Sequence, residues 1–175
     1  MTNKKIIIGF AIAFIISLNI YNIPFKNKVV EAAPPSNNQP MSQSIDLTSL
    51  NKAVNQASGQ VFDLNRYDHV IVSFWATWCP SCRRENLIFN EFAQKNRDVL
   101  ILGISVDKDP QALVEFKKEN ELLFPTFSTT KDIALLFDDI LAVPTHFIIN
   151  TKRQIVNKTV GLLDKNELKN LTRSK

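Results

Sequence analysis

The sequence predicts an α/β domain with a mixed central sheet flanked by helices. Three observations predict it. Strand-like apolar runs alternate with helix-like segments along the chain. The run Val99–Val106 is apolar almost throughout, as in a central strand covered on both faces. The last two strand-like runs are joined by a short turn, which makes them antiparallel neighbours. At 175 residues the chain is long enough to bury one good core.

The first half of the chain opens with a short amphipathic helix. Leu47, Leu50, Val54 and Ala57 have the spacing of one apolar helix face, and Gly59 stops that helix. β-Branched and aromatic residues mark the strands that follow. The further elements expected in this half are strands over 60–64, 69–75 and 99–106 and a helix over 80–95.

The second half begins with Asp107-Lys-Asp-Pro110, which caps a helix over 111–120. A strand over 143–149, entered through a proline, is followed by a turn and an antiparallel strand over 154–160. The remaining elements expected are an extended piece over 124–127 and short helices over 132–137 and 165–171.

The charge of the chain is concentrated near its beginning. The formal net charge is +4, but residues 1–31 contain four lysines and one acidic residue. Without them, the 21 basic and 17 acidic residues fall to 17 and 16, so the body of the chain is nearly neutral. This distribution excludes nucleic-acid binding as a working hypothesis.

Residues 1–25 are typical of a membrane anchor or a signal segment. Two lysines precede the uncharged apolar run Ile6–Ile20, whose 15 residues lie between a signal-peptide core and a full span. A cleavage site after Ala32 or Ala33 is further from that run than cleavage sites usually are. We expect an uncleaved anchor, with a cleaved secreted form as the alternative.

Residues 26–44 are predicted to be a flexible linker. Pro, Asn, Gln and Ser dominate their second half and leave almost nothing to bury. Such a linker would hold a globular domain away from the bilayer. The folded domain is therefore assigned to residues 45–175.

The only two cysteines, Cys79 and Cys82, stand between a predicted strand and a predicted helix. A structural disulfide explains them poorly, because so short a loop constrains the unfolded chain very little. A zinc site is also a poor explanation, because one C-x-x-C supplies two ligands and only two histidines exist to complete four. A redox-active dithiol fits best. No metal or other cofactor is predicted.

The position of the two cysteines predicts a role for each. Pro80 is favoured at the first helical position, so Cys79 lies where unpaired helix N–H groups favour a thiolate. Cys79 is expected to be the exposed nucleophile that attacks a substrate disulfide. Cys82, one turn inside the helix and more buried, then attacks the mixed disulfide and releases the reduced substrate.

At these residues the chain resembles the thioredoxin superfamily, specifically its membrane-anchored TlpA/ResA-like thiol–disulfide oxidoreductases. The resemblance is carried by FWATWCPSC, the following RRE, the strand ILGISVD and the late strand VPTHFI, and it covers about residues 45–173. It implies a thioredoxin-like fold with an extra helix–strand insert, which we place within 107–128.

The resemblance also implies a function. Members of this group reduce disulfides outside the cytoplasm, with apocytochrome c a frequent client, and a membrane electron carrier re-reduces them. The resemblance therefore implies protein disulfides as substrates, a membrane electron donor as partner, and a domain anchored in the periplasm or at the outer face of the plasma membrane.

Pro144 matches the cis-proline of that superfamily. The resemblance implies that this loop lies opposite the dithiol and that the backbone of Val143 pairs with bound substrate. An ordinary trans proline at a strand start is the alternative. Trp78 and Pro80 complete the predicted substrate-binding set, although packing around the turn explains Trp78 equally well.

Glu85 lies three residues after Cys82, so the two share one helix face. A partly desolvated carboxylate there can take the proton of Cys82 and return it, and ResA-like members have a functional glutamate at this spacing. The alternative is a helix-start acid paired with Arg83 or Arg84. Ser73 stands where thioredoxins proper carry a buried aspartate; because serine is no base at neutral pH, the proton role moves toward Glu85 or water.

Two other functions stay open. A dithiol oxidase or isomerase would run the same chemistry in the other direction. A metallochaperone or redox-sensing module would use Cys79, Cys82 and His146 as ligands, but copper chaperones of this superfamily have a wider cysteine spacing. His146, two residues after Pro144, can approach the site; since strand histidines are more often packed or exposed, the sequence assigns it no role.

Overall fold

The computed structural model describes residues 39–137 and 140–173. These residues form a single α/β unit in which strands and helices alternate for most of the chain. In order, its elements are β1 (Gln39–Ser44), α1 (Leu47–Ser58), β2 (His69–Trp75), α2 (Pro80–Lys95), β3 (Val99–Ser105), α3 (Pro110–Glu119), β4 (Thr126–Ser128), α4 (Lys131–Ala134), β5 (Thr145–Ile149), β6 (Gln154–Val160) and α5 (Lys165–Leu171).

The six strands form one sheet in the order β1-β6-β5-β2-β3-β4. β3 pairs in parallel with β2 and β4, whereas β5 pairs antiparallel with β2 and β6, and β6 with β1. The predicted mixed sheet is therefore confirmed. β2 and β3 are buried along their whole length, because neighbouring strands pair with both edges and helices cover both faces.

The alternation of side chains along β2 divides the core in two. Val72 and Phe74 belong to the cluster formed with α1 and α4, while Ile71 belongs to the cluster formed with α2 and α5. At the carboxyl end of the strand, Trp75 joins a third cluster that contains both cysteines and packs against α3. The dithiol therefore rests on the core at the end of a central strand.

Several predicted elements have the predicted bounds, notably β2, α2, β6 and α5. α1 ends at Gly59, whose positive φ of 67° is the left-handed conformation that a helix-terminating glycine adopts readily. The helix–strand pair of α3 and β4 falls within 107–128, where the resemblance places an insert.

The strand predicted over 60–64 is wrong. Side chains of α1 satisfy the backbone there: Asn55 accepts the N–H of Phe62 at 2.7 Å, and Asn51 accepts the N–H of Leu64 at 3.2 Å. These N–H groups are therefore not available to a sheet neighbour, and the chain continues into a short 3₁₀ turn, Leu64–Arg66.

The end of the predicted linker is also corrected. Residues 39–44 form β1, an antiparallel edge strand on β6, in which Pro40 is opposite Asn157. Proline is tolerated in an edge strand because it has no N–H to donate, and an edge strand donates to a neighbour on one side only. The rest of the linker and the predicted anchor over 1–25 lie outside the described residues. Among those that are described, no helix is both long and apolar enough to cross a membrane.

Candidate active site

Both cysteines lie where β2 turns into α2. Cys79 is the N-cap of α2, Pro80 is the first helical residue, and a disulfide joins Cys79 to Cys82. The Sγ of Cys79 accepts the backbone N–H of Cys82 at 3.2 Å. The sulfur thus faces the start of a 16-residue helix, where unpaired N–H groups and the helix dipole favour negative charge.

Access to Cys79 is narrower than the sequence suggests. Cys79 was expected to be exposed, but only 3% of the residue is exposed, against 0% for Cys82. The physical reason is packing: both cysteines belong to the cluster of Trp75, Leu113 and Phe116 at the end of β2. The disulfide is therefore almost completely covered by the surrounding side chains.

Asp107, two residues after the end of β3, braces the turn that presents Cys79. Its carboxylate accepts the Oγ1–H of Thr77 at 2.9 Å, the N–H of Thr77 at 3.1 Å, and the hydroxyl of Ser105 at 2.6 Å. The sequence predicted that Asp107 helps to cap the next helix, but Asp109 is the residue that caps α3. Asp107 instead fixes the chain two residues before the cysteine.

The loop before β5 faces the dithiol. The Val143–Pro144 peptide bond is cis, as the resemblance implies. The carbonyl oxygen of Val143 lies 3.8 Å from the Sγ of Cys79, and that of Pro144 accepts the N–H of Gly161 at 2.9 Å. Trp78, beside Cys79, is 68% exposed. A role in packing around the turn therefore does not explain a tryptophan at this position.

Glu85 is 1% exposed on the inner face of α2. Its Oε1 accepts the backbone N–H of Leu163 at 2.6 Å and lies 3.1 Å from the Nε2 of His146. The pairing with Arg83 or Arg84 that the sequence left open is not what the structure shows. Glu85 instead joins α2 to β5 and to the loop between β6 and α5.

His146 is the residue that sequence reasoning left without a role. It is 0% exposed, lies opposite Ser73 in the β2–β5 pairing, and its Nε2 lies 3.1 Å from the carbonyl oxygen of Gly161 as well as from Glu85. Strand alternation from Pro144 could have placed it beneath α2, but the strand register that brings it to Glu85 is not readable from one sequence.

The described residues contain no group of three or more His, Cys, Asp or Glu side chains able to hold a metal ion. Two members of the ligand set considered from the sequence, Cys79 and Cys82, are joined by a disulfide. The third, His146, has its Nε2 at hydrogen-bonding distance from Gly161 and close to Glu85.

Comparison with known proteins gives a family match over most of the folded unit. The model of the AhpC/TSA family matches residues 45–158. Sporulation thiol-disulfide oxidoreductase A of Bacillus subtilis is 28% identical over 113 residues, 62% of this chain and 68% of that protein. Thiol-disulfide oxidoreductase ResA of Bacillus cereus is 29% identical over 101 residues, 57% of this chain and only 58% of that protein.

Solved structures give the same fold. StoA from Bacillus subtilis matches with a TM-score of 0.58 and 23% identity, over 77% of this chain and 98% of that one. A thioredoxin-family thiol:disulfide interchange protein from Chlorobium tepidum matches with a TM-score of 0.57 and 21% identity, over 79% and 94%. At these identities the likeness concerns the fold alone, and it confirms the predicted thioredoxin-like fold.

Replacing Asp107 should loosen the turn before Cys79. Asp107→Ala leaves the N–H of Thr77 and the hydroxyl of Ser105 without their acceptor, at a cost of roughly 1–3 kcal/mol in the free energy of unfolding. A looser turn also exposes Cys79, so dithiothreitol should reduce the disulfide faster than in the parent. Urea unfolding of the oxidised protein and stopped-flow reduction measure the two effects.

Asp109→Ala is the matched control, because it removes a nearby carboxylate that caps α3 without touching the turn. It should lower stability by about 1 kcal/mol and leave the rate of disulfide reduction unchanged. Equal reduction rates in both variants would contradict the bracing role of Asp107.

Proposed function

The chain belongs to the AhpC/TSA family, and from this premise we propose that it reduces disulfide bonds of client proteins outside the cytoplasm. The names of its relatives confirm the predicted class of enzyme, a thiol–disulfide oxidoreductase. The observation that carries the proposal is the position of the Cys79 sulfur, which lies at the N-terminus of α2 and 3.8 Å from the carbonyl of Val143.

The proposed reaction moves two electrons from the dithiol to the client. The Cys79 thiolate attacks one sulfur of the client disulfide, that bond breaks, and the other client sulfur leaves as a thiolate that takes a proton. Glu85 accepts the proton of Cys82. The Cys82 thiolate then attacks the Sγ of Cys79, forming the Cys79–Cys82 disulfide and releasing the second client thiolate, which also becomes protonated.

The proposed client lies along the loop before β5. In this proposal the backbone of Val143 pairs with the chain that carries the client disulfide, while Pro144 shapes the loop and Trp78 and Pro80 contact the client beside Cys79. The exposed ring of Trp78 and the short distance from Val143 to the Cys79 sulfur support this arrangement.

Location and electron supply complete the proposal. We propose that residues 1–25 anchor the chain, that the folded unit lies in the periplasm or on the outer face of the plasma membrane, and that a membrane electron donor re-reduces the disulfide. Apocytochrome c is the proposed client class. The apolar N-terminal run and the TlpA/ResA-like motifs support these points.

The reduction potential tests the direction of electron flow. A reductase should have a potential near that of thioredoxin, about −270 mV, so that the dithiol gives up its electrons readily. Equilibration of the purified domain with glutathione or dithiothreitol redox buffers, read by thiol alkylation, measures it. A value near −120 mV, typical of a strong dithiol oxidase, would contradict the proposal that the protein is a reductase.

Trapping tests the order of attack. In Cys82→Ser the first exchange still occurs at Cys79, but no second thiol resolves the mixed disulfide, so clients should accumulate as adducts that dithiothreitol releases. Non-reducing gels followed by mass spectrometry identify them. Cys79→Ser is the matched control and should trap far less; equal trapping by the two variants would reverse the assigned roles.

Removing the carboxylate of Glu85 tests its proton role. Glu85→Gln keeps the shape but cannot take the proton of Cys82, so exchange near neutral pH should slow, on the order of 100-fold, and recover at higher pH. The pH–rate profile of disulfide reduction measures the change. Glu91→Gln, on the same helix, is the control; a profile for Glu85→Gln that matches the parent's would return Glu85 to a structural role.

A further inference from the structure

We propose that His146 is a positioning residue for the proton chemistry of Cys82 and that it acts through Glu85. Its Nε2–H forms a hydrogen bond that moves between the carbonyl of Gly161 and the carboxylate of Glu85 as Glu85 gains and loses a proton. The inference rests on the proposed function, specifically on the transfer of the Cys82 proton to Glu85.

The contacts of His146 assign the proton on its ring. Nε2 lies 3.1 Å from the carbonyl oxygen of Gly161, and a carbonyl can only accept a hydrogen bond, so Nε2 carries the proton. Nδ1 is buried and has no hydrogen-bond partner among the described residues. A proton on Nδ1 would be a buried donor without an acceptor, which is costly, so the contacts place the proton on Nε2.

The same N–H has a second acceptor within reach. The Oε1 of Glu85 lies 3.1 Å from Nε2, as far as the carbonyl oxygen of Gly161 does. Oε1 also accepts the backbone N–H of Leu163, a donor that the chain fixes in place. Two donors therefore lie beside Oε1 of Glu85: the fixed N–H of Leu163 and the Nε2–H of His146, which can change its orientation.

This geometry serves both protonation states of Glu85. When Glu85 is ionised, a small rotation of the imidazole ring directs the Nε2–H of His146 toward Oε1, where it stabilises the negative charge. When Glu85 has taken the proton from Cys82, the O–H bond forms as the S–H bond breaks, and the imidazole N–H is bonded to Gly161. The Nε2–H of His146 keeps an acceptor in both states, so the transfer does not leave this buried donor unpaired.

The packing around His146 limits the ring to small changes of orientation between its two acceptors. Phe89 of α2 meets the ring edge-on with centroids 5.8 Å apart, and the small side chain of Ser73 lies opposite in the β2–β5 pairing. At this level of the sheet, β2 offers a serine and the histidine lies opposite it on β5. The polar group that serves the dithiol is thus on the neighbouring strand.

The ionisable groups near His146 are few. The neighbouring strands oppose it with Ser73 and Thr159, neither of which titrates near neutral pH. The loop at Gly161 contributes backbone only. α2 contributes Glu85 and, three residues earlier, Cys82.

Further along α2, Glu91 does not titrate in the range of interest. Hydrogen bonds from Lys165 of α5 and from Lys95 lower the pKa of Glu91 to about 2. A change in the pH–rate profile above pH 5 therefore cannot come from Glu91.

Two variants of His146 separate the hydrogen bond from packing. His146→Gln puts an amide NH₂ close to the position of Nε2 and keeps the donor, whereas His146→Leu fills similar volume without one. Oxidised glutathione is the probe: reduced protein forms the Cys79–glutathione mixed disulfide, and stopped-flow release of the second glutathione reports attack by Cys82 between pH 5 and 9.

His146→Leu should slow this second step about tenfold near pH 7 and move the midpoint of its pH–rate profile to higher pH, since a carboxylate without its donor holds a proton more tightly. His146→Gln should restore most of the rate and the profile. In a Glu85→Gln background, His146→Leu should have no further effect, because the two residues act as one unit.

A parent-like profile in His146→Leu, or a failure of His146→Gln to restore it at equal stability in urea, would overturn the inference. If His146→Leu does not fold, His146→Asn replaces it, because that shorter amide reaches only the position of Nδ1. If Glu85→Gln itself leaves the second step unchanged, the proposed proton role of Glu85 fails instead, so the two failures are distinguishable. His69→Leu, in the other buried histidine, controls for general destabilisation.

Discussion

The hydrogen bond from the backbone N–H of Cys82 to the sulfur of Cys79 is the contact on which the site depends. It makes Cys79, the proposed nucleophile, the cap of α2, so its sulfur is held where the turn after β2 ends and the helix begins. From that fixed start, Glu85 falls one turn further on the buried face. Asp107, in the loop after β3, braces the turn through Thr77, and the carbonyl of Val143, in the loop before β5, lies beside the sulfur.

Beneath the dithiol, the sheet contains polar groups at a depth where apolar side chains are the rule. Burial of a carboxylate and an imidazole is costly unless their hydrogen bonds are satisfied. Here Glu85 and His146 contact each other, Glu85 accepts the N–H of Leu163, and His146 contacts the carbonyl of Gly161. These contacts join α2, β5 and the loop before α5. The same contacts that make burial tolerable also hold the carboxylate that we propose as the proton acceptor, one helical turn from Cys82.

Elements whose formation depends on neighbouring residues can be predicted from the sequence. The apolar run of β2, Pro80 at a helix start and the spacing of Cys79 and Cys82 predict the strand, the turn, the helix and the chemistry. Features set by distant parts of the chain are not readable in this way. β1 depends on backbone pairing with β6, the segment after Gly59 on side chains of α1, and the contact between Glu85 and His146 on the register of β5.

The burial of Cys79 affects the resistance of the enzyme to inactivation by peroxide. A thiolate open to solvent can be oxidised from sulfenic to sulfinic acid, a step that is irreversible in nearly all proteins. A sulfenic acid at Cys79 would instead lie beside the thiol of Cys82, its disulfide partner in the oxidised protein. The two groups would condense to a disulfide and water. Oxidation by peroxide would then stop at the same disulfide that each proposed catalytic cycle produces, which the proposed electron donor would reduce.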